Sequence, residues 1–238
     1  MELNKIYNED NLDTMAKMPD NFIDLIITSP PYEDVSGAGY GAKSKDILFL
    51  KFYSEYLDKL FLEYERILKP TGQIYFNIKS KTFNKTLNTP HWIEFIDGFK
   101  KLKLKSFIIW KYAGSFDSTK KRYHLDYEII YHLSKGDDIY LDDKCMHDAL
   151  SSVWYVPHNI PKKDRVHPTQ MPQALVDRIL KIASKKDYLV YDSFMGSGTT
   201  AISCIDKGIK YIGSELNKDN YKISLDRIEK HKNQIKLF

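Results

Sequence analysis

Sulfhydryl chemistry is nearly absent from this chain. Among 238 residues only Cys145 and Cys204 are present, far apart and in no Cys-x-x-Cys spacing. That excludes a disulfide framework and a cysteine zinc site. Long apolar runs are missing too: no segment approaches the roughly 18 uncharged apolar residues of a membrane helix. Met1-Glu2-Leu3-Asn4-Lys5 shows no charged-then-apolar secretion pattern. A cytoplasmic protein with no membrane partner is the expectation. Internal repeats and low-complexity tracts are also lacking. His124, His132, His147 and His158 show no helical ligand spacing, and Asp137-Asp138 and Asp142-Asp143 read as solvated turns, so no metal is expected. What is present suffices for a core: 42% of the residues are hydrophobic and 13% aromatic. The length suits one generous domain, or a domain with a small appendage.

Net charge is +4, which permits a polyanionic partner without demanding one. Its distribution says more. Lys79, Lys81, Lys85, Lys100, Lys101, Lys103 and Lys105 face only Glu94 and Asp97 over that stretch, and shorter clusters sit at Lys120-Lys121-Arg122 and Lys162-Lys163-Asp164-Arg165. Each alone reads equally well as solvated surface. Together they suit phosphate contacts along a duplex.

Apolar patterning predicts strands at Lys5–Tyr7 and Phe22–Ile27, with a short helix over Asn11–Lys17 between them. From Phe49 to Leu68 apolar residues recur at three and four, an amphipathic helix stopped by Lys69-Pro70-Thr71-Gly72. A strand over Gln73–Ile78, a helix over Trp92–Leu102 and strands over Phe107–Tyr112 and Tyr127–Leu133 follow. Residues 113–126 and 134–166 read as excursions from the sheet. Pro172 opens a helix through Ala183 as its first residue. Then come a strand at Tyr188–Asp192, a helix at Thr199–Lys207, a strand at Lys210–Ser214 and a closing helix at Lys218–Lys232. Such alternation predicts a layered α/β sheet with right-handed crossovers.

Two constellations carry chemistry. In Val190-Tyr191-Asp192-Ser193-Phe194-Met195-Gly196-Ser197-Gly198-Thr199-Thr200 an apolar strand ends on an acid, and a Gly-x-Gly turn leads into a helix. Glycines there permit a tight turn and close approach of a ligand. About twenty residues on, the next strand ends on Glu215, placed to accept from ribose hydroxyls. Glycine turns end strands in many folds, so a plain structural role stays open. Thr199-Thr200-Ala201 replaces the third glycine of the dinucleotide fingerprint, and no Gly-Lys-Ser/Thr follows. A pyrophosphate ligand is disfavoured, while a nucleoside without phosphates is not.

The second constellation is Ile26-Ile27-Thr28-Ser29-Pro30-Pro31-Tyr32. Pro-Pro makes a rigid turn in any protein, and that is one reading. The other rests on what the turn presents. Pro30 and Pro31 lack an N–H and fix the backbone, so the Pro30 carbonyl stands as an acceptor beside the Ser29 hydroxyl, with the ring of Tyr32 adjacent. Two acceptors and a stacking face suit an exocyclic amino group on a flat base. Its nitrogen lone pair is delocalised into the ring, and hydrogen bonds accepted from its N–H groups push it towards a nucleophilic, tetrahedral state. Such a base must leave the helical stack.

Ser29-Pro30-Pro31-Tyr32, followed much later by Asp192-x-Phe194-x-Gly196-x-Gly198, resembles the amino-methyltransferases of bacterial restriction–modification systems, the N4-cytosine/N6-adenine family. The motif order resembles its β-group. His167-Pro168-Thr169-Gln170-x-Pro172, Val153-Trp154-Tyr155-Val156-Pro157 and Asn8-Glu9-Asp10 match further segments, so the resemblance spans nearly the whole chain. It implies a Rossmann-like fold with a mixed seven-stranded sheet, helices on both faces and one reversed strand, here Tyr127–Leu133. It implies S-adenosylmethionine as methyl donor, with Asp10 reaching the adenine, His167 and Thr169 beside the methionine moiety, and Phe194, Ser197 and Thr199 joining Asp192, Gly196, Gly198 and Glu215 in the pocket. Ser29, Pro30, Pro31 and Tyr32 become the catalytic group. Residues 1–112 and 151–238 form the catalytic domain, and 113–150 a small target-recognition region whose Lys120, Lys121 and Arg122 contact DNA. The loop Glu33–Lys45, with Gly37, Gly39 and Gly41, reads as a DNA-closing segment or an ordinary connection. Double-stranded DNA, a second copy of the chain and a cognate restriction endonuclease are the implied partners.

Rival chemistries fit less well. Cytosine carbon-5 methylation uses a cysteine after proline, whereas Cys145 follows Lys144 and Cys204 follows Ser203. RNA and protein methyltransferases with Pro-Pro-Tyr motifs place the glycine-rich motif first. A non-catalytic DNA-binding subunit would not need the complete motif set. Ser29 before Pro-Pro-Tyr points to cytosine N4 in the resembled family, with adenine N6 as the alternative.

Overall fold

The computed structural model describes residues 1–31, 47–78, 81–83, 86–88, 96–112, 126–142, 144, 151–158, 165–166 and 170–235. Its first half runs β1 (Lys5–Tyr7), α1 (Asn11–Ala16), β2 (Ile23–Thr28), α2 (Ile47–Ile67), β3 (Leu68–Ile78), β4 (Lys81–Phe83), β5 (Thr86–Asn88), α3 (Asp97–Lys100) and β6 (Lys103–Lys111). The second half runs β7 (Tyr127–Ser134), β8 (Val153–Tyr155), α4 (Gln173–Ala183), β9 (Leu189–Asp192), α5 (Thr199–Lys207), β10 (Lys210–Ser214) and α6 (Lys218–Ile235).

Among the described residues eight strands form one sheet in the order β1-β10-β9-β2-β3-β7-β6-β8, and β4 and β5 make a separate antiparallel pair. Every residue of β2 is buried, as a strand covered on both faces requires. Leu25 and Ile27 pack on one side of the sheet with Leu175, Ile179 and Ile202. Ile26 packs on the other with Leu57, Phe61 and Tyr64 of α2. The three-and-four spacing of Leu57, Leu60, Phe61, Tyr64 and Ile67 is therefore the core stripe of α2. Asp24 sits within this apolar strand and is satisfied there: its carboxylate accepts from Lys69 Nζ at 2.7 Å and from the Leu189 N–H at 2.9 Å. The Lys69–Gly72 segment, which the sequence presents as a stop between elements, instead forms an irregularity in β3, where the register steps from Ile23↔Leu68 to Leu25↔Gln73.

Every strand of this sheet points the same way except β7, which pairs antiparallel with both β3 and β6. It is the reversed strand expected at Tyr127–Leu133. At the β9–β2 junction the next strand in the chain lies outward on each side, β10 beyond β9 and β3 beyond β2, which makes that junction the topological switch point, where open sheets bind ligands beyond their carboxyl ends.

Several expectations need correction. The sheet has eight strands, not seven, because Val153–Tyr155 adds in parallel to β6. The segment belongs to a short apolar run, Val153-Trp154-Tyr155-Val156, that shows no alternation in sequence, and only Trp154 of the three strand residues is buried. Tyr127–Ser134, between the excursions read at 113–126 and 134–166, runs through the sheet between β3 and β6 and extends one residue past the expected strand. Strand β6 starts at Lys103, and the helix expected over 92–102 is described only as Asp97–Lys100, with 89–95 outside the described residues. Pro172 caps α4 in extended conformation rather than occupying its first turn. No described helix is long and apolar enough to cross a membrane.

α3 lies close against α2 because Gly98 has no side chain: a methyl there would collide with the Asp58 carbonyl oxygen, and the Gly98 N–H donates to the Asp58 carboxylate at 2.5 Å. Gly98→Ala should therefore lower stability by about 1–3 kcal/mol. Urea unfolding with an unchanged m-value would show this, and a midpoint equal to wild type would contradict it.

Candidate active site

The carboxyl ends of β1, β10, β9, β2, β3 and β6 and the amino end of β7 share one edge of the sheet. The register pairs Tyr7 with Ser214, Gly213 with Asp192, Thr28 with Phe76, Ile78 with Ile129 and Lys111 with Tyr127. Both sequence constellations emerge at this edge from neighbouring strands.

On the β9 side, Gly196 and Gly198 adopt φ of 54° and 83°, the left-handed region that favours glycine. Gly198 caps α5 and donates its N–H to the Met195 carbonyl at 2.9 Å. Asp192, only 5% exposed, does not face outward as a ligand acceptor. Its Oδ1 accepts from Thr28 Oγ1 at 2.9 Å and the Phe194 N–H at 3.1 Å, and its Oδ2 accepts from Thr200 Oγ1 at 2.6 Å. Burial nonetheless pushes this carboxyl up from 3.8 to about 6, because these donors offset only part of the desolvation.

Glu215 follows β10. Its Oε2 accepts from the Gly196 N–H at 2.8 Å and its Oε1 from the Asn217 N–H at 2.9 Å, while burial raises its pKa. A carboxylate has about four lone-pair sites, so capacity for further donors remains. Glu215 is thus also a fastener of the glycine turn, a role that its position at a strand end did not reveal. Arg227 of α6 holds the same turn from outside, donating to the Ser197 carbonyl at 2.6 Å and to Thr199 Oγ1 at 3.3 Å. Phe194 meets Tyr56 edge-on at 6.5 Å between ring centroids. Asp10 caps α1 by accepting from the Leu12 N–H at 2.8 Å. Neighbouring Asn8 ties that loop to the Glu215 carbonyl at 2.8 Å.

On the β2 side, Ser29, Pro30 and Pro31 leave the strand directly after Thr28, with Pro30 buried. Asn77 of β3 stands 3.5 Å from Ser29 Oγ, and its amide donates to Glu128 Oε2 of β7 at 2.8 Å. Glu128 also accepts from Tyr112 OH at 3.4 Å. The sequence gives no functional role to Thr28, Ser193, Asn77, Glu128 or Arg227. Their only signal was a polar residue at the end of an apolar strand, or beyond it. Tyr32, the Glu33–Lys45 loop, Lys120, Lys121, Arg122, His167 and Thr169 lie outside the described residues. Cys204 is buried in α5, and that burial raises its thiol pKa, which leaves it unsuited to act as a nucleophile.

An open sheet with one reversed strand, a glycine turn at the switch point and an acid at the end of the next strand define the class of Rossmann-like methyltransferases. A family model described as DNA methylase, for N6/N4 methyltransferases, matches residues 23–226. The chain is 31% identical to the DNA adenine methyltransferase YhdJ of Escherichia coli K12 over 96% of its own length and 83% of that protein's. It is 28% identical to the Type II methyltransferase M.BglII of Bacillus subtilis, over 91% of this chain and 66% of that protein. In fold it is similar to the cytosine-N4-specific PvuII DNA methyltransferase, with a TM-score of 0.79 at 17% identity over 97% of this chain and 92% of that one. A putative DNA modification methylase from Thermus thermophilus, complexed with S-adenosyl-L-methionine, superposes with a TM-score of 0.75 at 19% identity over 95% and 93% of the chains. This chain belongs to the N6/N4 DNA methylase family and is a DNA amino-methyltransferase of the restriction–modification type.

The raised pKa of Asp192 has a stability consequence of definite sign. A folded-state value of about 6 against the ordinary 3.8 means that the folded protein takes up a proton that the unfolded chain does not. The resulting stabilisation is complete below the unfolded value and is lost as pH rises through about 6. Relative to Asp192→Asn, wild type should gain melting temperature on going from pH about 7 to about 5. A difference between the two that stays constant with pH would contradict the buried, ionisable state.

Proposed function

We propose that this enzyme transfers the methyl group of S-adenosylmethionine to the exocyclic N4 of a cytosine flipped out of duplex DNA. The observation that carries the reading is the placement of the Ser29-Pro30-Pro31 turn and the glycine turn on adjacent strands at the switch point. The donor pocket suits a nucleoside with a charged amino-acid tail better than a pyrophosphate. Glu215 offers an anionic acceptor to ribose hydroxyls, and the turn carries no lysine and no third glycine. Phe194, Gly196, Ser197, Gly198 and Thr199 line it, Asp10 reaches the adenine end, and His167 and Thr169 close the methionine end. Asp192 serves the pocket by organising the turn. S-adenosylmethionine supplies an electrophilic methyl group.

The protein's part is to hold and polarise the base. Ser29 Oγ and the Pro30 carbonyl accept from the two amine N–H groups, which localises the nitrogen lone pair towards the methyl. Tyr32 stacks on the flipped ring, a contact worth on the order of 1–3 kcal/mol. Lys120, Lys121 and Arg122, within the 113–125 part of the recognition region, contact phosphates. A second copy of the chain and a cognate restriction endonuclease are the proposed protein partners. Adenine N6 is the second reading, favoured by the 31% identity to a relative named as an adenine methyltransferase. The neutral Ser29 hydroxyl at the motif's head favours cytosine.

Mass spectrometry of nucleosides from plasmid methylated by the enzyme should show N4-methylcytosine. N6-methyladenine alone would overturn the base assignment and leave the enzyme class intact. Calorimetry tests the donor pocket: Glu215→Ala removes an anionic acceptor and should weaken S-adenosylmethionine binding by on the order of 10- to 100-fold. An unchanged affinity would remove Glu215 from the pocket.

A further inference from the structure

The backbone ladder between β2 and β9 stops short of the reactive edge. It pairs Leu25 with Val190 and Ile26 with Tyr191, and among the described residues no pair beyond these joins the two strands. Past that point the strands lead into the crevice where the two half-sites face one another. What spans the gap is a side-chain bond. Thr28 Oγ1 lies 2.9 Å from Asp192 Oδ1 and 3.1 Å from Ser193 Oγ, and Tyr64 OH reaches Ser193 Oγ from below.

A hydroxyl has one hydrogen to give, and this orders the chain. The Asp192 carboxylate only accepts, so Thr28 donates to it. Ser193 then donates to Thr28, and Tyr64 donates to Ser193. Tyr64 is fully buried and its pKa is raised well above 10, which suits a neutral donor at the head of the chain. The Ser193 carbonyl is in turn held by Asn11 Nδ2 at 3.1 Å, and Asn11 Oδ1 accepts from Tyr56 OH at 2.9 Å. Every participant is buried except Tyr56, and a buried hydroxyl without partners costs free energy. Valine has nearly the shape of threonine and would fill the same space. The hydroxyl is there for the bond.

We propose that Thr28 is a positioning residue for methyl transfer, binding the Ser29 turn to the glycine turn through Asp192 so that acceptor base and methyl donor keep one spacing. The inference rests on the methyltransferase reading given above. Thr28 is buried, with its hydroxyl committed to Asp192. It precedes Ser29, which polarises the amine, and its partner Asp192 opens the turn that holds the donor. An in-line methyl transfer tolerates little error in that spacing, and a misplacement of about 1 Å costs on the order of 100-fold in rate.

The test is single-turnover transfer of labelled methyl to duplex DNA at saturating S-adenosylmethionine, with donor and DNA affinities measured in parallel by calorimetry. Thr28→Val should slow the transfer step by on the order of 10- to 100-fold while both affinities stay near wild type. Thr28→Ser, which keeps the hydroxyl, should restore most of the rate. A fast Thr28→Val enzyme, a Thr28→Ser enzyme as slow as Thr28→Val, or a loss confined to donor affinity would each overturn the proposal. Should Thr28→Val fold poorly by circular dichroism, Ser193→Ala carries the test. It removes the donor that orients Thr28 and should slow transfer at unchanged affinity, and a wild-type rate there overturns the proposal as well. A wild-type enzyme that binds donor but methylates no duplex would remove the methyltransferase reading itself, an outcome distinct from all of these.

Discussion

A carboxylate cannot be taken out of water cheaply, and Asp192 is taken almost entirely out of it. Its oxygens recover part of the cost from Thr28 at the end of β2, from the backbone N–H of Phe194 inside the turn, and from Thr200 in the first turn of α5. Those donors come from two stretches of chain far apart in sequence, the end of β2 and the turn that runs from β9 into α5. Satisfying one buried charge therefore fixes a strand end, a turn and a helix start relative to each other. Glu215 repeats the device one strand over, gathering the N–H groups of Gly196 and Asn217. The glycine turn is held from within by two acids and from outside by Arg227.

The sheet supplies the frame in which this fastening has a use. With one strand reversed, Glu128 at the start of β7 arrives at the same edge as Asn77 at the end of β3, beside Ser29. A strand running the other way would have delivered Ser134 to this edge instead. The far end of β7 shows a purely structural counterpart. There His132 is buried against Gln73, stacks on Tyr75 at 4.6 Å and is held neutral, its pKa pushed down to about 4 by burial. Polar groups at both ends of the strand are satisfied, but only those at the carboxyl edge stand next to the two turns.

Much of this was legible in the chain. The helix over Thr199–Lys207 and the strand over Lys210–Ser214 were read to the residue, since a glycine precedes the first and an acid follows the second. The apolar stripe of α2 is legible for a different reason, a strong periodicity over many residues. The eighth strand was not. Three residues with one buried side chain carry no periodicity, and only pairing with β6 makes them a strand. In the site, the residue types that chemistry singles out were candidates from the sequence, namely the glycines, the prolines and the strand-end acids. Threonine, serine and tyrosine in the hydroxyl chain were not, because each is an ordinary residue until its neighbour is known.

The class of fold, the two turns and their order along the chain follow from local sequence, because backbone preference and hydrophobic period act over a few residues. The tertiary structure alone decided what the strand-end acids do. Asp192 and Thr28 stand 164 positions apart in the chain, and nothing local tells a carboxylate aimed at a ligand from one spent on holding two loops together. That distinction rests on which donors surround it, and those donors come from strands and helices brought together only by burial of the sheet's two faces.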